Sequence, residues 1–277
     1  MTVLVTGATG NVGRRLVDRL LAAGTQVRAL TRRPEAAGLS GDVEVLRGDL
    51  ADADALATAL AGVDGVFLFP VPEGIEAFVE RAKAAGVRRV VVLSSKAVEF
   101  ADGNAIGERH RVIEEAVEAG GFEWTFLRPG AFATNTLAWA DSIRAEGVVR
   151  EPFVDAQQTP IHEDDIAAVA ETALLEDGHA GAVYALSGPE ALTVREQVQA
   201  ISAAIGREVK LEEQTLEQAR AHMVAQGVPE AIADVLLSYG ARNLENAEPP
   251  VRTVEQVTGR PARTFAQWAV DHADDFR

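Results

Sequence analysis

Glycines at positions 7, 10 and 13 interrupt an apolar opening, Val3-Leu4-Val5-Thr6-Gly7-Ala8-Thr9-Gly10-Asn11-Val12-Gly13. Their spacing suits the binding of a dinucleotide pyrophosphate. A glycine where a strand turns permits φ > 0, and a missing side chain lets backbone approach a phosphate closely. A helix beginning near Asn11 would aim its free N–H groups and positive dipole end at the same phosphate. The run reads strand, turn, helix, which is the context this fingerprint needs. Three glycines alone also make an ordinary tight turn; the flanking elements favour the nucleotide. Thr9, Asn11 and Val12 belong to the expected cofactor site together with Gly7, Gly10 and Gly13.

A second strand pattern, Gln26-Val27-Arg28-Ala29-Leu30-Thr31, leads into Arg32-Arg33-Pro34. Enzymes that prefer NAD place an acidic residue about 20 positions past the glycines to hold the ribose 2′-OH. Thr31, Arg32 and Arg33 stand there instead, and forked guanidinium donors suit a 2′-phosphate. The expected cofactor is NADP, with NAD as the alternative if the arginines only solvate a strand end.

Other reactive side chains are few. His110 has the unperturbed pKa near 6.5 of an acid or hydrogen-bond donor, and it fits a solvated helix beside Glu114 equally well. Ser95 is the second catalytic candidate. Lys96 suits a substrate anion or a cofactor phosphate, and an exposed position equally. His162 precedes Glu163-Asp164-Asp165, a pattern read as a helix cap rather than a metal site, so no metal is expected. With no cysteine in 277 residues, disulfides, thiol nucleophiles and thiolate ligands are excluded.

These residues need a scaffold, and the chain supplies an alternating one. Residues 3–6, 26–31, 43–46, 65–69, 89–94 and 124–127 read as short buried strands. Helical patterns fill 11–23, 53–61, 73–85 and 105–119 between them. Such alternation predicts an α/β, Rossmann-type doubly wound parallel sheet. Beyond about residue 133 the pattern loosens into helical stretches at 163–175, 193–205, 214–226 and 229–239. The expected division is a Rossmann core over 1–132, with 155–190 returning to it. Residues 133–154 and 191–277 form a smaller, mainly helical substrate lobe. Ligands of such sheets bind at the carboxyl ends of strands. Asp49-Leu50, Phe69-Pro70-Val71, Ser94 and Pro129-Gly130-Ala131-Phe132 occupy those ends and join the expected cofactor site. Asn135 and Trp139 are expected to line a substrate pocket, although such residues also make plain core.

Composition bounds the partners. A net charge of −16 argues against non-specific nucleic-acid binding, which depends on basic surface. No apolar run approaches the roughly 20 residues that cross a bilayer. The chain opens directly into a strand, without the basic segment of a signal peptide, so cytoplasmic residence is expected. A homodimer or a protein partner is left open.

The ordered motifs Gly7–Gly13, Gly48-Asp49-Leu50, Val92-Leu93-Ser94-Ser95 and Trp124-Thr125-Phe126-Leu127-Arg128-Pro129-Gly130 resemble those of the NmrA-like atypical short-chain dehydrogenases/reductases. So do Ile161-His162-Glu163-Asp164-Asp165-Ile166-Ala167, Tyr184-Ala185-Leu186-Ser187-Gly188-Pro189-Glu190 and Thr258-Gly259-Arg260-Pro261. That group includes bacterial type 2 quinone oxidoreductases. The resemblance spans nearly the whole chain and implies NAD(P) binding, with a substrate pocket between the core and the C-terminal part.

One departure bears on chemistry. Many short-chain dehydrogenases carry Tyr-x-x-x-Lys on the helix after the fifth strand, where i,i+4 spacing puts both side chains on one face. Here Ile106 and His110 hold those positions, and the only tyrosines are Tyr184 and Tyr239. Reducing a simple ketone creates an alkoxide of basicity comparable to hydroxide, about 15.7 on the water scale. A quinone gives a phenolate-like product nearer the pKa of about 10 of tyrosine, which water can protonate. Losing the tyrosine therefore penalises ketones more than quinones. Three functions fit this pattern. The first is an NADPH-dependent oxidoreductase acting on a small aromatic or quinone-like acceptor. The others are a non-catalytic NADP(H) sensor of NmrA type and a tailoring enzyme for aromatic natural products.

Overall fold

Short valine- and leucine-rich runs build the centre of the molecule because, with helices on both faces, they escape water on both sides. The computed structural model describes residues 1–100 and 104–277. In chain order the core consists of β1 (Thr2–Thr6), α1 (Asn11–Ala22), β2 (Gln26–Thr31), β3 (Glu44–Arg47), α2 (Ala53–Leu60), β4 (Gly65–Leu68), α3 (Ile75–Ala84), β5 (Arg89–Leu93), α4 (Ala105–Gly120) and β6 (Glu123–Pro129). The chain continues through α5 (Ala140–Glu146), β7 (Val148–Glu151), β8 (Gln157–Gln158), α6 (Glu163–Leu175), β9 (Ala182–Leu186), β10 (Leu192–Thr193) and α7 (Val194–Ile205). It ends with β11 (Lys210–Glu213), α8 (Leu216–Ala225), α9 (Glu230–Glu245), α10 (Thr253–Thr258) and α11 (Phe265–Asp271).

The main sheet is parallel throughout, in the order β3-β2-β1-β4-β5-β6-β9. Strand order reverses between β1 and β4, and the crevice at their carboxyl ends is where such sheets take ligands. Leu16, Val17 and Leu20 of α1 pack with Ile166, Val169 and Ala170 of α6 on one face. Leu56, Phe78, Ile113 and Val117 of α2, α3 and α4 cover the other. A third cluster joins Ile143, Val149, Val198, Phe265, Trp268 and Phe276 in the later part of the chain.

The sheet gains a strand that the sequence pattern did not disclose. β9 lies at an edge with mostly half-exposed residues, so its hydrophobic signal is weak. β7 with β11, and β8 with β10, form two small accessory sheets for the same reason: their exposed residues include Arg150, Glu212 and Glu213. α9 also runs on to Glu245, six residues past the helical pattern at 229–239.

Side-chain ion pairs fasten the two halves of the chain. Arg19 of α1 grips Asp164 of α6 bidentately at 3.0 Å per bond and reaches Glu171 at 3.1 Å. Arg28 Nη1 donates to the carbonyls of Ala59 and Ala61 at the end of α2. His162 caps α6, its Nδ1 accepting from Asp164 N at 3.1 Å. Next to it, buried Glu163 accepts from Trp268 Nε1 at 3.0 Å and meets His272 Nε2 at 2.7 Å, tying α6 to the C-terminal segment. Burial opposes ionisation of Glu163, but the adjoining His162 ring and the hydrogen bond to His272 outweigh it and hold the carboxyl far below its usual range. For His272, burial favours the neutral ring, while hydrogen bonds to Glu163 and Asp275 outweigh it and raise the pKa.

Two tests of stability follow from these contacts. A Cβ on Gly13 would lie 2.2 Å from the carbonyl oxygen of Gly7, whereas one on Gly24 meets nothing within 4 Å. Gly13→Ala is expected to cost about 3 kcal/mol through overpacking against backbone, and Gly24→Ala about 1 kcal/mol through its positive φ. Urea midpoints that drop equally for both would dismiss the clash as the cause. The raised pKa of His272 means that its imidazolium contributes fully below about pH 6.5 and fades as pH climbs through the folded-state value. The urea midpoint of the wild type should exceed that of His272→Gln at about pH 6 and converge on it at about pH 9; a pH-independent gap would contradict this.

Candidate active site

α1 crosses the end of β1 at the switch point, and the contact allows no side chain. Gly7 has φ +64°, and a Cβ there would strike Phe69, while Gly13 sits on the Gly7 carbonyl. Gly10 N–H closes the turn on Gly7 O at 3.0 Å. Gly10 is the N-cap of α1, so no side chain caps the helix, and no acidic residue lies in its first turn. Among the described residues nothing accepts from the N–H groups of Asn11, Val12 and Gly13. Free donors, a positive helix end and a cradle empty of side chains together fit a pyrophosphate.

The neighbouring strand ends complete a trough. Phe69 N–H donates to Thr6 Oγ1 at 2.7 Å, which sets the 45% exposed ring beside Gly7. Thr31 ends β2 and accepts from Arg33 N–H at 3.3 Å. Arg32 and Arg33 both extend into solvent, and among the described residues no acidic group pairs with either guanidinium. Asp49 receives Ala51 N–H in a local turn, and among the described residues its other carboxylate oxygen has no hydrogen-bond partner. Leu50 and Val71, by contrast, turn into the core beneath the sheet.

At the ends of β5 and β6 the polar groups are already committed. Ser94 Oγ donates to Glu114 Oε1 of α4 at 2.5 Å, and Arg128 of β6 clasps the same carboxylate through Nε at 3.0 Å and Nη2 at 2.6 Å. Ser94 and Glu114 are 3% and 5% exposed. Ser95 Oγ accepts from Ala97 N–H at 3.1 Å and caps the short 3-10 turn over 96–99. Pro129-Gly130-Ala131-Phe132 is pinned by Gly130 N–H to Leu186 O at 3.0 Å and by Ile161 N–H to Ala131 O at 2.9 Å. Phe132 lies against the first core cluster. Asn135 is exposed, whereas Trp139 packs in the third cluster and donates to Glu151 at 2.6 Å, making it a wall of the later lobe.

α4 brings the remaining candidates together. Ile106, His110 and Glu114 share a face at i,i+4 spacing. Ile106, Arg109, His110 and Ile113 line a cavity of about 250 Å³ with Pro70 of the β4 end and Ile232 of α9. His110 is therefore not on a solvated face: its Nδ1 is buried without a hydrogen-bond partner among the described residues. Burial lowers its pKa, and the charge of Arg109 adds to that against the attraction of Glu114. Burial thus favours the uncharged ring, a hydrogen-bonding group rather than a stored proton.

Sequence spacing concealed two features here. Nothing local connects Arg128 to Glu114, although a charged residue in a buried strand signals a partner. Tyr239 lies 135 positions from Asn104, yet its hydroxyl accepts from Asn104 Nδ2 at 2.6 Å beside the start of α4. Phe100 packs edge-on against Tyr239 and beneath the Arg242 guanidinium, and Lys96 pairs with Glu248. Together these contacts seat α9 over the cavity.

A model of the NAD(P)H-binding family matches residues 7–177. The chain is 45% identical over 280 residues to a (4-alkanoyl-5-oxo-2,5-dihydrofuran-3-yl)methyl phosphate reductase of Streptomyces griseus, covering 99% of each. It is 37% identical over 282 residues to an NAD(P)H azoreductase of Xenophilus azovorans, again covering 99% of each. The crystal structure of the NADPH-dependent quinone oxidoreductase of Escherichia coli complexed with NADPH superposes with a TM-score of 0.81 at 25% identity, covering 97% of this chain and 99% of that one. With the open glycine cradle and the free arginines beyond it, these likenesses identify the chain as a member of the NAD(P)H-binding family, an NmrA-like atypical short-chain dehydrogenase/reductase that works as an NAD(P)H-dependent oxidoreductase.

Proposed function

We propose that the protein reduces a quinone or a similar planar, conjugated acceptor bound in the cavity between α4 and α9. The observation that carries this reading is the make-up of that cavity. Its walls are Ile106, Ile113, Ile232 and Pro70, and its polar lining residues are His110 and Arg109. Apolar walls with few polar groups suit a flat, mostly apolar molecule. When bound, NADPH supplies a hydride.

The chain's residues have separable tasks. N–H groups of Asn11, Val12 and Gly13 hold the pyrophosphate, and Arg32 with Arg33 hold the 2′-phosphate. Pro70 and the pinned 129–132 loop bound the trough and exclude water from the reacting centre. His110 donates a hydrogen bond to an acceptor oxygen, which steadies the negative charge that develops there. Hydride plus one proton converts quinone to hydroquinone. Because the product oxygen is only phenol-like, the proton comes from water and no tyrosine is needed at position 106. The named reductases of an azo compound and of an alkanoyl-dihydrofuranone phosphate support acceptors conjugated across several atoms.

NADPH oxidation followed against a panel of quinones tests the reading, with simple ketones as the contrast. Steady turnover on quinones and almost none on ketones is expected; the reverse order would refute it. Arg32→Ala should weaken NADPH binding about tenfold while leaving NADH nearly unaffected, the loss of one charge-assisted contact. Equal losses for both cofactors would remove the 2′-phosphate assignment. His110→Ala should lower kcat/KM about tenfold. Because burial lowers the pKa of His110, the uncharged ring already supplies the donated hydrogen bond, and wild-type turnover should stay level from about pH 6.5 upward. Activity that rises on acidification would mark the protonated ring as the working form.

A further inference from the structure

We propose that Arg109 makes this cavity read anions: the acceptor carries an acidic group, a carboxylate, sulfonate or phosphate, held by the guanidinium while its apolar body lies against Ile106, Ile113 and Ile232. The proposal rests on the cavity being the acceptor's. Arg109 lines the cavity beside His110, with its side chain 58% exposed. Its neighbour of opposite charge is Glu73, on the loop between β4 and α3, at 3.8 Å. That is too long for a hydrogen bond, so among the described residues the pair leaves the five-donor fork unspent. By contrast, Arg128 behind α4 clasps Glu114 bidentately.

Two further considerations give the cation a purpose. The chain has a net charge of −16, so an acidic ligand is repelled at long range unless a local cation receives it. A loosely held exposed carboxylate such as Glu73 contributes little and is easily displaced by an incoming anion. The cofactor's own phosphates have other partners, at the α1 N-terminus and at Arg32.

Equilibrium dialysis of the NADP⁺-loaded protein against naphthoquinone and its ring sulfonate reads affinity without turnover. The sulfonate should bind about tenfold more tightly than the parent compound, the gain of one charge-assisted contact. Arg109→Ala should bring the ratio near one, and Glu73→Gln should widen it. Equal affinities in the wild type, or a preference that survives Arg109→Ala, overturn the proposal. A parallel fall in NADPH affinity in Arg109→Ala also overturns it, because the anion would then be the cofactor's. If the sulfonate preference holds but neither compound is reduced by NADPH, the subsite stands and the quinone-reductase reading is what fails.

Discussion

The close passage of α1 over the end of β1 is the constraint on which the site depends. Gly13 rests on the Gly7 carbonyl with no room for a methyl group. That distance sets the angle at which α1 leaves the sheet, and α1 in turn anchors α6 through Arg19 and Asp164. The same contact keeps side chains out of the helix N-terminus, so its donors stay available. Packing and binding thus make the same demand on one position. Phe69 follows from it as well, since only a bare Gly7 lets that ring lie across the turn.

A second constraint governs the acceptor half. The buried Glu114 carboxylate joins β5, β6 and α4 through Ser94 and Arg128. Removing Glu114 or Arg128 would strand the other's charge in a water-poor interior, so the three elements are held in fixed relation. His110 stands one helical turn from Glu114, and its placement is inherited from that lock. The fold therefore keeps α4 rigid while leaving its first turns, residues 106–110, free to carry chemistry different from a tyrosine–lysine pair.

What the chain disclosed in advance follows from how local each signal is. Strands β1, β2, β4 and β5 are runs of wholly or largely buried residues bounded by turns, so their type and position were legible. The glycine turn was legible because its conformational demands fall within seven consecutive residues. β9, β7 and β11 were not, since edge strands with half-exposed residues lose the apolar contrast that marks a strand. Among the site residues, spacing located the strand ends but not the direction of each side chain. Leu50 and Val71 face inward, Ser95 caps a turn, and Trp139 braces the later lobe. The seating of α9 was invisible because Tyr239, Arg242 and Glu248 meet Lys96, Phe100 and Asn104 only through tertiary packing.

That seam between α9 and the rest of the chain is held by two kinds of force. Lys96 and Arg242 share Glu248, all partly exposed, while a Cβ on Gly240 would stand 2.3 Å from the Phe153 ring, which shows how closely the apolar part fits. Coulomb attraction between exposed charges is screened over about 8 Å at physiological ionic strength. Apolar contact is instead strengthened by salts that are excluded from protein surface. Rising salt therefore loosens one end of the seam as it tightens the other, and α9 keeps its seat while the share of the hold passes from the ion triad to the glycine–phenylalanine contact. A cover built this way is buffered against changes in the ionic strength of its surroundings.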